Sequence, residues 1–494
     1  MLSADLCYRE SGKFWSGGLS RVISANRNGS DAERVRGVFR TQGQSQVFRF
    51  WEQLDEDARE RLVAQAARVD LSTLERAFQS VGKPPPVEPA DLRAVPVEAL
   101  PEHGGSPTER AEALRLGEAL LRDGRVGVLV VAGGQATRLG LRGPKGLFPL
   151  GPVTSRSLFA QQAQKLSRLR ARCGQPVPWL VMTSPATDVP TREAFASADW
   201  FGLPREDITF FCQGSLPSVD FQGRLLLERA DRIAENPDGH GGAVLALRDS
   251  GALGELQRRG VDMLFYYQVD NPLVRLGDPC FIGFHAMRAA EMSCKVVRKR
   301  DAAEKVGVVV QIGERVGILE YTEIGEAQRQ ARDAQGALLY WAGNVATHVF
   351  NTDFLSRVAE DAERLLPLHP SKKKIPTLDE AGAPISPDAP NGYKLERFIF
   401  DALQAARRVC VVEVCREEEY SPVKNAEGSD SPDSARRDLE AHYRTWLEKA
   451  GMTVPEACAS VEIDESRVGG PEDLRSLRAR EISEVVRTSL GARP

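Results

Sequence analysis

Apolar residues recur at three- and four-residue steps through VFRFWEQLDEDARERLVAQAARVDLSTLERAFQ, starting at Val47. This spacing predicts short amphipathic helices, with Asp70 and Ser72 suited to capping the break between two of them. The pattern then stops: in residues 81–105 prolines disfavour regular structure, and the stretch reads as a linker. A second helical stretch, PTERAEALRLGEALLRDG, leads into the continuous apolar run VGVLVVA at 126–132, a buried strand. Strand and helix patterns alternate from there. Strands are predicted at 178–184, 208–214, 263–270, 295–299, 306–313 and 317–324, and helices at 157–172, 251–260 and 281–291. Such alternation predicts an α/β domain with a mostly parallel sheet. The expected division is an arm over 1–45 with no readable pattern, a helical region over 46–120, an α/β domain over 121–405, and a C-terminal domain over 406–494. The last of these opens with the strand RVCVVEVC and continues in mostly polar, helical sequence. No internal repeat is visible.

Composition narrows the class. The chain has 494 residues, too many for one ordinary domain, and 42% are hydrophobic, enough for a sizeable core. Its 65 basic and 69 acidic residues are balanced, which argues against a nucleic-acid footprint but leaves room for a local basic pocket. The eight cysteines form no C-x-x-C pair and no zinc-ligand spacing, so they read as free thiols of a reducing compartment. The start, MLSADLCYRE, does not look like a secretory signal, and no apolar run approaches the length needed to span a bilayer. The expectation is a soluble, cytoplasmic protein with no nucleic-acid or membrane partner.

The densest chemical signal is VLVVAGGQATRLGLRGPKG, residues 128–146. A strand runs into Gly133 and Gly134, where the absence of side chains lets a nucleotide approach the backbone. Backbone N–H groups in such a loop can face phosphate oxygens, and Arg138 and Lys145 supply positive charge where a triphosphate would lie. Neither the dinucleotide fingerprint nor the Walker A pattern is present, which disfavours a dehydrogenase or a kinase.

The GG-x-x-T-R-L-G and P-K elements resemble the signature of the UTP–sugar-1-phosphate uridylyltransferases, and within them the eukaryotic-type UDP-N-acetylhexosamine pyrophosphorylases. Further blocks are similar to that family in the same order, among them FFCQGSLPS, NPDGHGG, QVDNPLV, VGVVVQIG, LEYTEI, WAGNVATHVF, PNGYKLERFIFD and REEEYSPVKNA. The likeness spans roughly residues 44–430.

The resemblance implies a central Rossmann-like nucleotidyltransferase domain, flanked by a helical N-terminal region and a smaller C-terminal domain that could close over the sugar phosphate. It implies Gly133 and Gly134 under the uridine, Gln213 on the uracil edge, and Gly239 and His240 completing the base pocket. Asp270 would reach a magnesium ion, with manganese as a substitute. Gly307, Glu320 and Asn344 would line the sugar site, and Lys424 would contact phosphate.

The implied substrates are UTP and N-acetylglucosamine 1-phosphate or N-acetylgalactosamine 1-phosphate, handled by a monomer or homodimer. Two alternatives stay open: a UDP-glucose or broad-specificity UDP-sugar pyrophosphorylase, and a non-catalytic UDP-sugar sensor. Three residues depart from the family pattern. Ala136 stands where glycine is usual, His240 where the closest relatives have asparagine, and Trp341 near Asn344 where smaller residues are usual. An alanine at 136 would be strained if that position needed a positive φ.

Overall fold

A computed structural model describes residues 30–79, 81, 91–455 and 458–490. The expectation for the first residues of the arm lies outside these, although Ser30–Thr41 is helical. Two compact units emerge. One draws on the described residues of three segments, Met1–Lys83, Gly214–Asp249 and Asp361–Ile399; the other holds Pro84–Gln213, Ser250–Glu360 and Phe400–Pro494.

This division departs from the boundaries expected at 45, 120 and 405. The helices Glu56–Ala66 and Leu71–Gln79 bury Leu62, Ala66, Leu74 and Ala77 against Leu216, Leu227, Ile233, Leu378 and Leu395, which come from much later in the chain. An amphipathic helix must cover its apolar stripe, and here distant hairpins cover it.

The second unit is built on a ten-stranded mixed sheet. Its strands are β1 (Leu92–Ala94), β2 (Val126–Val131), β3 (Trp179–Thr183), β4 (Ile208–Cys212) and β5 (Met263–Gln268). They continue with β6 (Met292–Arg298), β7 (Val308–Ile312), β8 (Arg315–Leu319), β9 (Ala342–Asn351) and β10 (Val409–Glu413). The main path runs β1-β7-β9-β5-β2-β3-β4, and the stretch β5-β2-β3-β4 is entirely parallel. Every strand named from the pattern is present. β1 is the exception to the linker reading: it pairs antiparallel with β7 at the sheet edge.

The longest strand, β9, has no place among the predicted ones, yet it pairs with β5, β6 and β7. Its sequence, AGNVATHVFN, opens with residues of low strand propensity, and burial on both sides overrides that preference. β10 pairs parallel with β6, so the strand expected to open a separate C-terminal domain is part of the central sheet.

Helices α1 (Pro107–Arg122), α2 (Leu158–Cys173) and α3 (Pro279–Met287) pack on this sheet, and α4 (Pro432–Lys449) lies in the C-terminal part. Ser106 and Ser157 cap α1 and α2, accepting from the N–H groups of Glu109 and Ala160. α1 and α3 touch through glycines. A Cβ on Gly117 would sit 1.8 Å from the Pro279 carbonyl oxygen, and one on Gly283 would sit 1.7 Å from that of Ala113. Against α2 also comes the turn that follows β11 (Cys458–Ile463), a strand paired antiparallel with β12 (Val486–Leu490). Buried Glu462 accepts from the N–H groups of Val153 and Thr154, both at 2.8 Å, and buried Glu465 lies 3.7 Å from Lys165. The C-terminal part is thus tied into the sheet unit by buried carboxylates. Among the described residues no helix is long and apolar enough to cross a membrane.

His285 on α3 is buried, with Nδ1 2.7 Å from Ser293 Oγ and Nε2 2.9 Å from Asn351 Oδ1, and burial pushes its pKa down to about 4. Its unfolded-state pKa is higher, so the unfolded chain binds the extra proton as pH falls. His285 therefore adds stability that is full above about pH 6.5 and is lost toward pH 4, by up to about 1.4 kcal/mol per pH unit. His285→Gln should flatten the decline of Tm between pH 7 and pH 5; an unchanged slope would remove this residue from the acid sensitivity.

Candidate active site

β2 and β5 lie side by side and parallel, in register from Val126 opposite Met263 to Val131 opposite Gln268. β3 and β4 follow on one side of β2, while β5 lies on the other. The connections therefore leave in opposite directions, and a crevice opens at the carboxyl ends of the strands. After β2 the chain reaches Gly133. A Cβ there would lie 2.2 Å from Gln213 Oε1 and 3.3 Å from Ser184 Cβ. Gln213 is buried directly after β4, its N–H donating to the Thr183 carbonyl at 2.9 Å. Ser184, directly after β3, donates through Oγ to the Gly133 carbonyl at 2.8 Å. Three strand ends thus interlock at a position where a side chain would have to push the Gln213 amide aside. Ser184 was missed at the sequence level; its only signal was a small hydroxyl residue following an apolar strand.

The loop from Gly134 to Lys145 is closed on itself. Lys145 N–H donates to the Gly134 carbonyl at 3.0 Å, and Ala136 N–H to that of Gly143 at 2.9 Å. Ala136 is buried with φ −93° and ψ 19°, so the strain expected of an alanine there does not arise. The left-handed conformations fall instead on Gly140 and Gly143. Arg138 is exposed on the loop and makes no hydrogen bond or ion pair among the described residues. Lys145 points back, with Nζ 2.9 Å from Asp270 Oδ2.

Asp270 is buried just beyond β5. Two polar side chains of α2 hold the turn it occupies: Gln162 Nε2 donates to the Val269 carbonyl at 2.9 Å, and Lys165 Nζ to that of Val274 at 3.0 Å. Burial lowers the Lys165 pKa, with the Glu465 charge opposing the shift. On the other side, Val423 N–H donates to the Asp270 carbonyl at 2.9 Å, which brings Lys424 alongside. Protein around the Lys424 ammonium disfavours its charge, but Tyr420, Asp270 and Asp430 outweigh that and raise its pKa above the ordinary lysine value.

The sugar-side residues meet at the same end of the sheet. β5 and β9 are antiparallel, with Tyr266 opposite His348, so the start of β9 lies at the carboxyl end of β5. There Asn344 N–H donates to the Gly307 carbonyl at 2.8 Å. A Cβ on Gly307 would be 3.1 Å from Glu320 Oε1. Trp341 is half-buried, with the Arg298 guanidinium 4.2 Å above its ring; this cation–π contact gives the indole a structural partner.

Gly239 and His240 belong to the other unit. Gly239 has φ +86°, and a Cβ there would be 2.5 Å from the Arg397 carbonyl oxygen. His240 Nδ1 accepts from Ile399 N–H at 3.1 Å, and its ring stacks on Phe398. That bond makes Nδ1 the acceptor and leaves Nε2 as the protonated nitrogen of the neutral ring.

An α/β sheet with a glycine loop at its switch point, a lysine–carboxylate pair across it and a second lysine alongside defines a nucleotide-handling protein. Residues 82–440 match the family described as UTP–glucose-1-phosphate uridylyltransferase. The human UDP-N-acetylhexosamine pyrophosphorylase-like protein 1 is 39% identical over 433 residues, 84% of this chain and 85% of the relative. The Saccharomyces cerevisiae UDP-N-acetylglucosamine pyrophosphorylase is 34% identical over 467 residues, 90% and 97% of the two chains. The crystal structure of the Trypanosoma brucei uridine diphosphate N-acetylglucosamine pyrophosphorylase in complex with inhibitor superposes with a TM-score of 0.73 at 28% identity, covering 87% of each chain. The chain belongs to the UTP–sugar-1-phosphate uridylyltransferase family.

If Gln213 reads the uracil edge, Gly133→Ala should displace its amide and weaken UTP binding about tenfold, the worth of one hydrogen bond. Gln213→Ala should erode the preference for UTP over CTP. Calorimetric titration with both nucleotides tests the pair, and an unaltered preference in Gln213→Ala would exclude it as the base reader.

Proposed function

We propose that the protein transfers the uridylyl group of UTP to N-acetylglucosamine 1-phosphate, with N-acetylgalactosamine 1-phosphate as the alternative acceptor, and releases pyrophosphate. The observation that carries this reading is the gathering of Lys145 and Lys424 around Asp270 at the switch point of the sheet. The names of the similar proteins support the choice of an N-acetylhexosamine.

A phosphate oxygen of the sugar 1-phosphate attacks the α-phosphorus of UTP in line. The bond from that phosphorus to the bridging oxygen breaks, and pyrophosphate leaves with the electron pair. The attacking oxygen is already anionic, so no protein base or nucleophile is required. The difficulty is electrostatic, because two polyanions must meet while charge grows on the leaving oxygen. Arg138 and Lys145 neutralise the β- and γ-phosphates, and Lys424 holds the incoming sugar phosphate. Gly133, Gly134 and Gln213 bind the uridine, while Gly307, Glu320 and Asn344 line the sugar.

The residues fit a magnesium ion held mainly by substrate. Asp270 offers one carboxylate at the right strand end, and among the described residues no cluster of three or more metal-ligating side chains exists. One carboxylate, phosphate oxygens and water are the donors magnesium favours. When bound, the ion offsets phosphate charge. The buried free thiols of Cys294 and Cys410 support a reducing, cytoplasmic setting.

Pyrophosphate release from UTP and magnesium should be fastest with an N-acetylhexosamine 1-phosphate among N-acetylglucosamine, N-acetylgalactosamine and glucose 1-phosphates. Preference for glucose 1-phosphate would overturn the sugar assignment, and no turnover with any of them would overturn the reaction. Lys145→Ala and Arg138→Ala should each lower kcat about 100- to 1,000-fold with little change in KM for the sugar phosphate, the pattern of contacts made in the transition state.

A further inference from the structure

We propose that Asn271 is a positioning residue that sets the place of Lys424, and through it of the sugar phosphate; this rests on the reading of Lys424 given above. Asn271 is 5% exposed and follows Asp270 directly. Its Oδ1 accepts from Leu273 N–H at 3.3 Å and from Ser421 N–H at 3.1 Å, while Nδ2 donates to the Glu419 carbonyl at 2.7 Å. Two N–H groups on one atom and a carbonyl on the other determine the orientation of the amide.

The Leu273 bond is the local one, closing the turn after β5. The other two reach 148 and 150 residues along the chain, to the segment that ends in Lys424. A turn-capping role requires neither of them.

The same segment is gripped elsewhere as well, among others by Ser421 Oγ donating to Asp438 Oδ2 at 2.6 Å. The Glu419 carboxylate is ion-paired with Lys295, which is 1% exposed and also lies 2.8 Å from Asp278 Oδ2. Val423 N–H donates to the Asp270 carbonyl. Residues 419–423 are therefore fastened on both sides of the Asp270–Asn271 turn, and Lys424 follows directly, its N–H donating to the Asp430 carbonyl at 2.6 Å and its Nζ to the Tyr420 hydroxyl at 3.5 Å. Asn271 and Asp270 share one turn, so the place of Lys424 is referred directly to the carboxylate beside it. Only an amide can accept from two N–H groups and donate to a carbonyl here. An aspartate would keep both acceptor bonds but set a carboxylate oxygen against the Glu419 carbonyl.

The test is a double-variant cycle on the full chain. Asn271→Ala and Asn271→Asp are each made alone and with Lys424→Ala, and kcat and both KM values are measured for UTP and the sugar 1-phosphate. Alone, each Asn271 variant should lower kcat/KM for the sugar phosphate about ten- to a hundredfold and leave KM for UTP unchanged, as expected of a misplaced contact. With Lys424→Ala present, neither should cost anything further. If Asn271→Ala does not fold, Asn271→Asp, of equal size, carries the comparison. An equal loss in both backgrounds, or a loss shared by UTP and sugar phosphate alike, overturns the positioning role while sparing Lys424. Full activity of Lys424→Ala alone overturns both.

Discussion

The parallel register of β2 against β5 is the constraint on which the rest of the site depends. Six consecutive pairings bring the ends of two strands together that lie more than a hundred residues apart in sequence. One end delivers a glycine loop and the other a carboxylate, and the Lys145–Asp270 pair closes the gap between them. A slip of one residue would turn each side chain of β5 to the opposite face and break that pair. Such a slip would be costly, since Val128, Val130, Phe265 and Tyr267 pack together in one core on one face of the sheet.

The electrostatics follow from the same arrangement. A lone carboxylate in so enclosed a place would be costly, and Lys145 with the nearby Lys424 offsets its charge. Asp270 holds Lys145 and the Tyr420 hydroxyl holds Lys424 before any phosphate arrives, so both lysines are ordered in advance of the charge they are proposed to meet. Arg138, by contrast, projects from the loop without a partner among the described residues. The site thus combines two lysines anchored by Asp270 and Tyr420 with one exposed arginine, and electrostatic preorganisation resides in the anchored pair.

Much of this was legible in the chain, for physical reasons. β2, β3, β5 and β6 were readable as apolar runs because they are buried on both faces. The glycine loop was legible because Gly133 leaves room for the Gln213 amide beside it. β9 was not, since its opening Ala-Gly-Asn looks like a turn until its partners on both sides are known. The true units were also hidden, because no local pattern says that the helices at 56–79 find their partners near residues 216–233 and 378–395. Ala136 and Trp341 looked anomalous until a backbone angle and the Arg298 contact accounted for them. The amide of Asn271, with two of its three bonds to a distant segment, could be read only in three dimensions.

The three-segment construction of the first unit has a consequence for how the protein is made. Leu62, Leu74 and Ala77 leave the ribosome long before Leu378 and Leu395, which complete their apolar cluster. At roughly 5–20 residues per second, those helices wait for tens of seconds with an uncovered face. The sheet unit is interrupted by the same excursions, so neither unit can finish until most of the chain exists. Synthesis of this protein should therefore lean on chaperones that shield the early helices, and a slowly translated or truncated chain should aggregate through that N-terminal face.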